Sequence, residues 1–449
     1  MLAVLRHRAY RRLFAAQVVA LVGTGLATVA LGLLAYDLAG ADAGSVLGTA
    51  LAIKMVAYVV IAPAVGAVAD RLPRRALMVT ADLVRAAIAL SLPFVGEVWQ
   101  VYVLVFLLQS ASAAFTPTFQ AVVPDVLPEE RDYTRALSMS RLAYDLESLF
   151  SPALAAALLS VVTYDRLFTG TVLGFLASAA LVVSTALPER AAATLPRTGG
   201  VYARATAGTR LFLGVPALRA LLALNLAVAA AGATVTVNSV VYVREVLGLS
   251  ASAVPLALGA YGAGSMAVAL LLPRLLDRVP DRAVMLPGAL SLTVVFAGLG
   301  AVTAAREGSW QLPAVLVLWA AFGAASSAVL TPAGRLVRRS VAPGDRTAAF
   351  AAQFSLSHGC WLLTYPLAGW LGAAGLGRAV LALGAIALGG ALLAVRLWPS
   401  AAASPAPPAP KAHVHADLPL GHPHLVGALR VPTGWRHSHG HLTDGLHAR

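Results

Sequence analysis

The feature that most limits what this chain can fold into is a recurring run of about twenty residues with almost no charge. "FAAQVVALVGTGLATVALGLLA" and "AVLALGAIALGGALLAV" are two such runs. A helix rises about 1.5 Å per residue, so about 20 apolar residues cross a hydrocarbon core of about 30 Å. Within lipid each backbone amide must be bonded internally, and unbroken apolar runs of that length select helices over strands. Only 12% of the residues are charged, against about 25% in soluble domains. The chain reads as an all-α integral membrane protein.

Twelve spans are expected, at roughly 14–36, 45–69, 76–95, 99–123, 136–162, 168–187, 217–243, 250–273, 283–303, 312–335, 348–372 and 379–397. The basic start "MLAVLRHRAYRRLFAAQ" precedes an apolar run too long for a signal sequence, so it reads as an uncleaved leader to the first span. The sole cysteine, Cys360, falls inside a span, which excludes a disulfide framework and a thiolate metal cluster. The net charge of +13 reads as topology charge rather than a nucleic-acid surface. Arginines cluster before span one (Arg6, Arg8, Arg11, Arg12) and after spans two, four, six, eight and ten. The opposite loops hold only Arg166, Arg244, Arg306 and Arg378. Arginine-rich loops stay in the cytoplasm, so both termini are expected there, in a multi-pass protein of the inner (plasma) membrane.

The two halves repeat in the same chain order. "DRLPRR" (70–75) returns as "DRVPDR" (277–282), "VWQVYVLVF" as "SWQLPAVLV", and Thr116-Pro117 as Thr331-Pro332. Six spans per copy place the second copy in the same membrane orientation as the first, so the repeat is parallel. The expected organisation is a six-helix bundle over 1–190, a basic linker over 191–215, a second six-helix bundle over 216–399 and a disordered tail over 400–449.

"GAVADRLPRR" (66–75), followed by "ADLVRA", resembles the loop signature between spans two and three of the major facilitator superfamily, and the degenerate second copy strengthens the likeness. Pro73 stands where that pattern usually has glycine. The resemblance implies a twelve-helix transporter fold and a latch on the cytoplasmic side that breaks as the halves rock. Gly66, Asp70, Arg71, Arg74 and Arg75, with Asp277 and Arg278 in the second copy, would form it. Read from charge alone, Asp70 suits helix N-termini and arginines. Arg74 and Arg75 read equally well as topology charges.

Charges deeper in the spans carry the functional expectations, because an ionisable residue there costs at least about 2.5 kcal/mol to insert. Lys54, in "ALAIKMVAYVV", is the only lysine before the tail, and Tyr58 shares its helix face. In span five, "ALSMSRLAYDLESLFSPALAAALL", Arg141 and Asp145 are spaced to pair. Glu147 points to another face with Ser140, Tyr144 and Ser151, and is the leading residue for proton or cation coupling, with Asp145 second. His358 in span eleven aligns with Tyr144 through the repeat and is either a satisfied hydrogen-bonding group, a titrating one or a metal ligand. Asp82 and Arg85, one turn apart in span three, read as an internal pair. No motif supports an enzyme or a bound cofactor, and no P-loop is present, so transport would draw on an ion gradient, with protons the default.

After a Pro/Ala spacer, the last forty residues hold eight of the ten histidines. His413/His415, His422/His424 and His437/His439/His441 form H-x-H spacings, which suit Ni(II), Co(II), Zn(II) or Cu(II). With this tail, "ALAIKMVAYVV", "RLAYDLESLFSP" and "SLSHGCWLLTYPLAGW" resemble the nickel-resistance branch of the superfamily. That resemblance implies proton-driven efflux of a divalent metal (nickel or cobalt, or zinc) by alternating access. The alternative is export of an organic molecule, a drug, antibiotic or siderophore, with the tail incidental. Expected partners are membrane lipid, protons and a small ion or molecule as substrate, with no nucleic acid, and the expected state is a monomer.

Overall fold

In a computed structural model the described residues are 2–39, 43–68, 72–188, 201–249, 254–305, 308–398, 411–415, 429–432 and 434–439. They contain thirteen α-helices. The first half holds α1 (Arg8–Ala39), α2 (Ala43–Val68), α3 (Arg74–Ser91), α4 (Val98–Val126), α5 (Glu130–Leu159) and α6 (Asp165–Val183). A shorter helix, α7 (Val201–Gly214), lies in the region expected to be a plain linker. The second half holds α8 (Pro216–Val241, continued by a π turn at Tyr242–Val246), α9 (Val254–Leu276), α10 (Asp281–Ala304), α11 (Gln311–Ser340), α12 (Arg346–Ala373) and α13 (Leu376–Leu397).

The twelve long helices match the twelve expected spans. Ten of them are long and apolar enough to cross a membrane by themselves. The two that fall short are α5 and α12, which the internal repeat pairs with each other. α5 carries Arg141, Asp145 and Glu147, and α12 carries Gln353, Ser355, Ser357, His358 and Thr364. Such helices can sit in lipid only if their polar side chains face protein or water.

Packing follows the repeat. α1 packs on α5 and α6, α2 on α4, and α3 on α4 and α6. The same pattern returns as α8 on α12 and α13, α9 on α11, and α10 on α11 and α13. Two seams join the halves, α2 against α12 and α5 against α9, and the repeat exchanges one for the other. The helix α7 packs on both α2 and α12, so the linker crosses the first seam. The second half has one large apolar core, built around the fully buried Trp319 and the alanine-rich α8.

The tail from Pro399 is a separate unit. Its composition predicts disorder, but its described residues form strands β1 (Lys411–His415), β2 (Leu429–Val431) and β3 (Gly434–His439). They make an antiparallel sheet in the order β1-β3-β2. The period-two alternation in "KAHVH" supports a strand, and Gly434, at φ 135°, opens β3 where a side chain would be strained.

Candidate functional site

The polar residues of α2, α4, α5 and α12 meet between the halves, near the middle of their helices. Tyr58 on α2 is the hub. Its ring packs edge-on against His358, with centroids 4.6 Å apart, and against Phe354 at 4.8 Å. Its hydroxyl donates to Gln109 Oε1 on α4 at 2.7 Å. Lys54, one turn away, holds its ammonium 5.8 Å from the Tyr58 ring centroid, a cation–π approach. His358 Nδ1–H donates to the Phe354 carbonyl at 2.7 Å. That bond leaves Nε2 as the ring atom free to face the cluster.

Glu147 reaches the same space from α5. It and Lys54 act on each other electrostatically, yet no ion pair within 4.0 Å joins them. The helix backing Glu147 is α1, where Gly25 has no room for a side chain. A Cβ there would stand 1.9 Å from Ser151 Oγ and 3.0 Å from Glu147 Oε1. Only glycine lets α1 approach this closely. Lys54, Tyr58, Glu147 and His358 are each only half-buried while facing one another, and Tyr144 is 39% exposed. The space they share is therefore open rather than packed.

Asp145 lies elsewhere. It pairs with Arg141 at 3.0 Å and accepts from Ser265 Oγ of α9 at 2.7 Å, while Arg141 Nε donates to the same hydroxyl at 3.0 Å. The sequence reading paired Asp145 with Arg141, set Glu147 on another face and ranked Asp145 second for coupling. The spacing of two between Asp145 and Glu147 turns the side chains about 200° apart on a helix, which sends Asp145 into the α5–α9 seam. Asp82 and Arg85 form the expected buried pair. The Arg85 guanidinium also sits 4.5 Å from the ring centroids of both Phe115 and Phe175, so the pair is absorbed inside the first half.

The arginine-rich end is closed by a network across the seam. Glu130 of α5 pairs with Arg335 at 2.7 Å and with Arg339. The same arginines hold Asp281, each at 3.0 Å. Asp125 of α4 joins Arg74 at 2.6 Å and Arg346 of α12. Arg338 donates to the carbonyls of Leu127 and Pro128 and lies over the Tyr133 ring. Arg131 bonds Asp277 at 3.1 Å.

The expected latch residues divide accordingly. Arg74 and Asp277 belong to this network, and Gly66 lies in the seam, where a Cβ would meet that of Ala351 at 3.1 Å. Arg75 donates to the Thr185 carbonyl within the first half. Arg278 is exposed. Asp70 and Arg71 lie outside the described residues. Sequence reasoning missed Asp125, Glu130 and Asp281 as latch groups, and used the arginines after span ten, Arg335, Arg339 and Arg346 among them, only as topology charges. The signal was available, because all flank the two repeated loops. Phe354 is not among the residues singled out from the sequence.

In the tail, His413, His415, His437 and His439 fall on β1 and β3, while His422, His424 and His441 lie outside the described residues. Among the residues whose side chains are described, no group of three or more His, Cys, Asp or Glu is set to hold a metal ion.

The sequence profile of the Major Facilitator Superfamily matches residues 13–317 and 222–437. Macrolide efflux protein A of Streptococcus pyogenes is 29% identical over 182 residues, covering 39% of this chain and 44% of that protein. Its counterpart in Enterococcus faecalis is 31% identical over 153 residues, 32% of this chain and 47% of that protein. The chain thus matches about half the length of these curated relatives. Among solved structures, the human organic anion transporter MFSD10 has a TM-score of 0.71 at 16% identity, covering 86% of this chain and 99% of that one. A bacterial homologue of the iron transporter ferroportin, in an outward-facing state, has a TM-score of 0.69 at 13% identity, covering 87% and 99%. At those identities the likeness is one of fold. The relatives do not support the nickel-resistance branch that the histidine tail suggested. With its profile match running through both halves and its twelve long helices in two parallel copies, this membrane protein belongs to the Major Facilitator Superfamily.

Proposed function

We propose that the protein is a proton-coupled exporter of organic small molecules, working by alternating access, with both termini in the cytoplasm. The observation that carries this reading is the makeup of the central cluster. Apart from the self-neutralised Asp82–Arg85 pair, its charges are one carboxylate, Glu147, and one ammonium, Lys54. Aromatic and amide groups, Tyr58, Phe354, Tyr144 and Gln109, supply the rest. A divalent metal ion needs several anionic or imidazole ligands on one point. Here an ammonium at Lys54 would repel a cation, and His358 offers a single imidazole nitrogen. An apolar molecule with a few polar groups suits such a lining. Metal export by the membrane body, the leading expectation from the tail, is therefore set behind organic export. The macrolide efflux relatives point the same way.

Charge bookkeeping suggests how coupling works. With Glu147 ionised, the Lys54–Glu147 pair sums to zero, and a proton on Glu147 leaves one net positive charge. A substrate and a proton would then compete for one open space, which is the requirement for antiport. The arginine-rich network closes the cytoplasmic side in this conformation, and its ion pairs, most of them buried, would be exchanged for others as the halves rock.

The test is a susceptibility assay in a bacterium lacking its own exporters. Cells expressing the protein are expected to tolerate a macrolide or extrude a lipophilic dye, with the effect lost in Glu147→Gln. Protection against nickel, cobalt or zinc salts, with no change toward any organic compound, would overturn the proposal.

A further inference from the structure

A groove of about 660 Å³ runs between α10 and α13, away from both seams between the halves. α10 lines it over 293–304 and α13 over 377–388. The first residue of α10, Asp281, is held in the arginine-rich network, so the groove occupies the half of the bundle opposite that network. Each side runs about 16 Å at about 1.5 Å per residue. That is close to one leaflet's share, about 15 Å, of a hydrocarbon core of about 30 Å.

The lining suits an apolar occupant. Its hydroxyls, on Thr293 and Thr303, donate back to the Leu290 and Leu299 carbonyls at 2.7 Å each, and Thr303 also shares a hydrogen bond with the Tyr242 hydroxyl. Leu381 on the rim is 75% exposed, so the groove opens to the medium around the bundle, which for a membrane-spanning helix is lipid. Glycines keep it open. A Cβ at Gly377 would meet nothing within 4 Å, and one at Gly300 only Val380 Cγ1 at 3.7 Å. An empty groove forfeits dispersion contacts that a flexible chain would restore. At its far end the next residue after Gly377 is Arg378, which is exposed. Trp310, exposed where α11 begins at the same end, fits the headgroup level, where tryptophan concentrates. A cation at the end of an apolar groove one leaflet long matches a lipid phosphate above its acyl chain.

We propose that the α10–α13 groove is a phospholipid site, with one acyl chain lying along 293–304 and 377–388 and the headgroup phosphate on Arg378. The occupant is a lipid of the leaflet opposite the arginine-rich network. The site is separate from the cluster around Tyr58 and does not depend on what the protein carries.

The experiment mixes the full chain, purified in detergent, with a phosphatidylglycerol whose acyl chain carries a diazirine, then irradiates and digests it to locate the label. Label is expected on 293–304 and 377–388, saturating near one lipid per protein and displaced by unlabelled phosphatidylglycerol. Gly300→Leu/Gly377→Leu fills the groove and should lower labelling there by about tenfold or more. Arg378→Gln should weaken lipid binding by about fivefold, the effect of one basic residue at a lipid surface. Gly389→Leu places the same side chain on α13 beyond the groove, again where a Cβ meets nothing within 4 Å, and should leave labelling within about twofold. Thermal midpoints report whether each variant is folded. If the double variant is not, Gly377→Leu alone carries the test, since its Cβ has no neighbour to displace. Label spread evenly over the outer helices, or undiminished in the filled variant, would reduce the lipid to an ordinary annular one and overturn the site. Displacement by a macrolide or a lipophilic dye, but not by unlabelled phospholipid, would overturn it as well and give the groove to a substrate.

Discussion

The two seams between the halves use helices that the repeat makes equivalent, yet they are built from different chemistry. Where α5 meets α9, Arg141, Asp145 and Ser265 form a bonded triad in which each group has a partner. Where α2 meets α12, the contacts are rings, Tyr58 against Phe354 and His358, with one hydrogen bond from Ser355 Oγ to the Val59 carbonyl at 2.7 Å. Beside this second seam lie Lys54 and Glu147, which act on each other electrostatically without forming an ion pair within 4.0 Å. A saturated triad resists change, because breaking it strands a charge in a low-dielectric setting. Ring contacts are non-directional and can slide. The difference suggests a division of labour in which α5–α9 holds the halves in register while α2–α12 and Glu147 respond to substrate and proton.

The strongest challenge to this division is Glu147→Gln. Export driven by a proton gradient should fall to background while the thermal midpoint in detergent is unchanged. Equal loss of transport and stability would make Glu147 a structural group. Next comes Asp145→Ala, which leaves Arg141 uncompensated and should cost about 3–5 kcal/mol of stability, read as a lower thermal midpoint. Retained proton dependence in the surviving protein would sharpen the contrast with Glu147, and loss of coupling without loss of stability would reverse the two roles.

A smaller effect is expected for Arg335→Met at the latch. Arg335 is buried and holds both Glu130 and Asp281. Losing these charge-assisted bonds should cost about 1.5–3 kcal/mol each way of counting, favouring opening of the arginine-rich end. Labelling of a cysteine introduced at that end would read the shift, and unchanged labelling would remove Arg335 from the latch. The smallest effect belongs to Tyr58→Phe. It keeps the ring contacts and removes only the bond to Gln109, so a change of about 0.5–1.5 kcal/mol is expected in apparent substrate affinity. A complete loss of transport would mean that the hydroxyl, not the ring, is the working part of Tyr58.

Much of this arrangement was legible along the chain. Lys54, Glu147 and His358 stood out because ionisable groups in apolar runs are rare, and the tertiary structure does bring Lys54, Tyr58 and His358 together, with Glu147 in electrostatic reach. The Arg141–Asp145 pairing and the separate face of Glu147 were legible from helix spacing, but that Ser265 of α9 completes the pair was not, because sequence spacing does not say which neighbour a helix face meets. The latch was only half legible for a related reason. "DRLPRR" and "DRVPDR" were conspicuous, but Asp125, Glu130, Asp281 and Arg339 acquire partners only when one half's loops meet the other's. The tail was read as disordered from its Pro/Ala spacer, although the alternation in "KAHVH" favoured a strand.

Apolar run length, arginine spacing and the internal repeat are local or periodic properties, so the sequence by itself determined the membrane class, the twelve long helices and the parallel two-fold plan. Which charges pair across the halves, and whether Glu147 finds a direct partner, depend on contacts between segments up to about two hundred residues apart. Only the tertiary structure decided those, because a side chain's electrostatic role is set by the neighbours that packing brings to it and not by its own place in the chain.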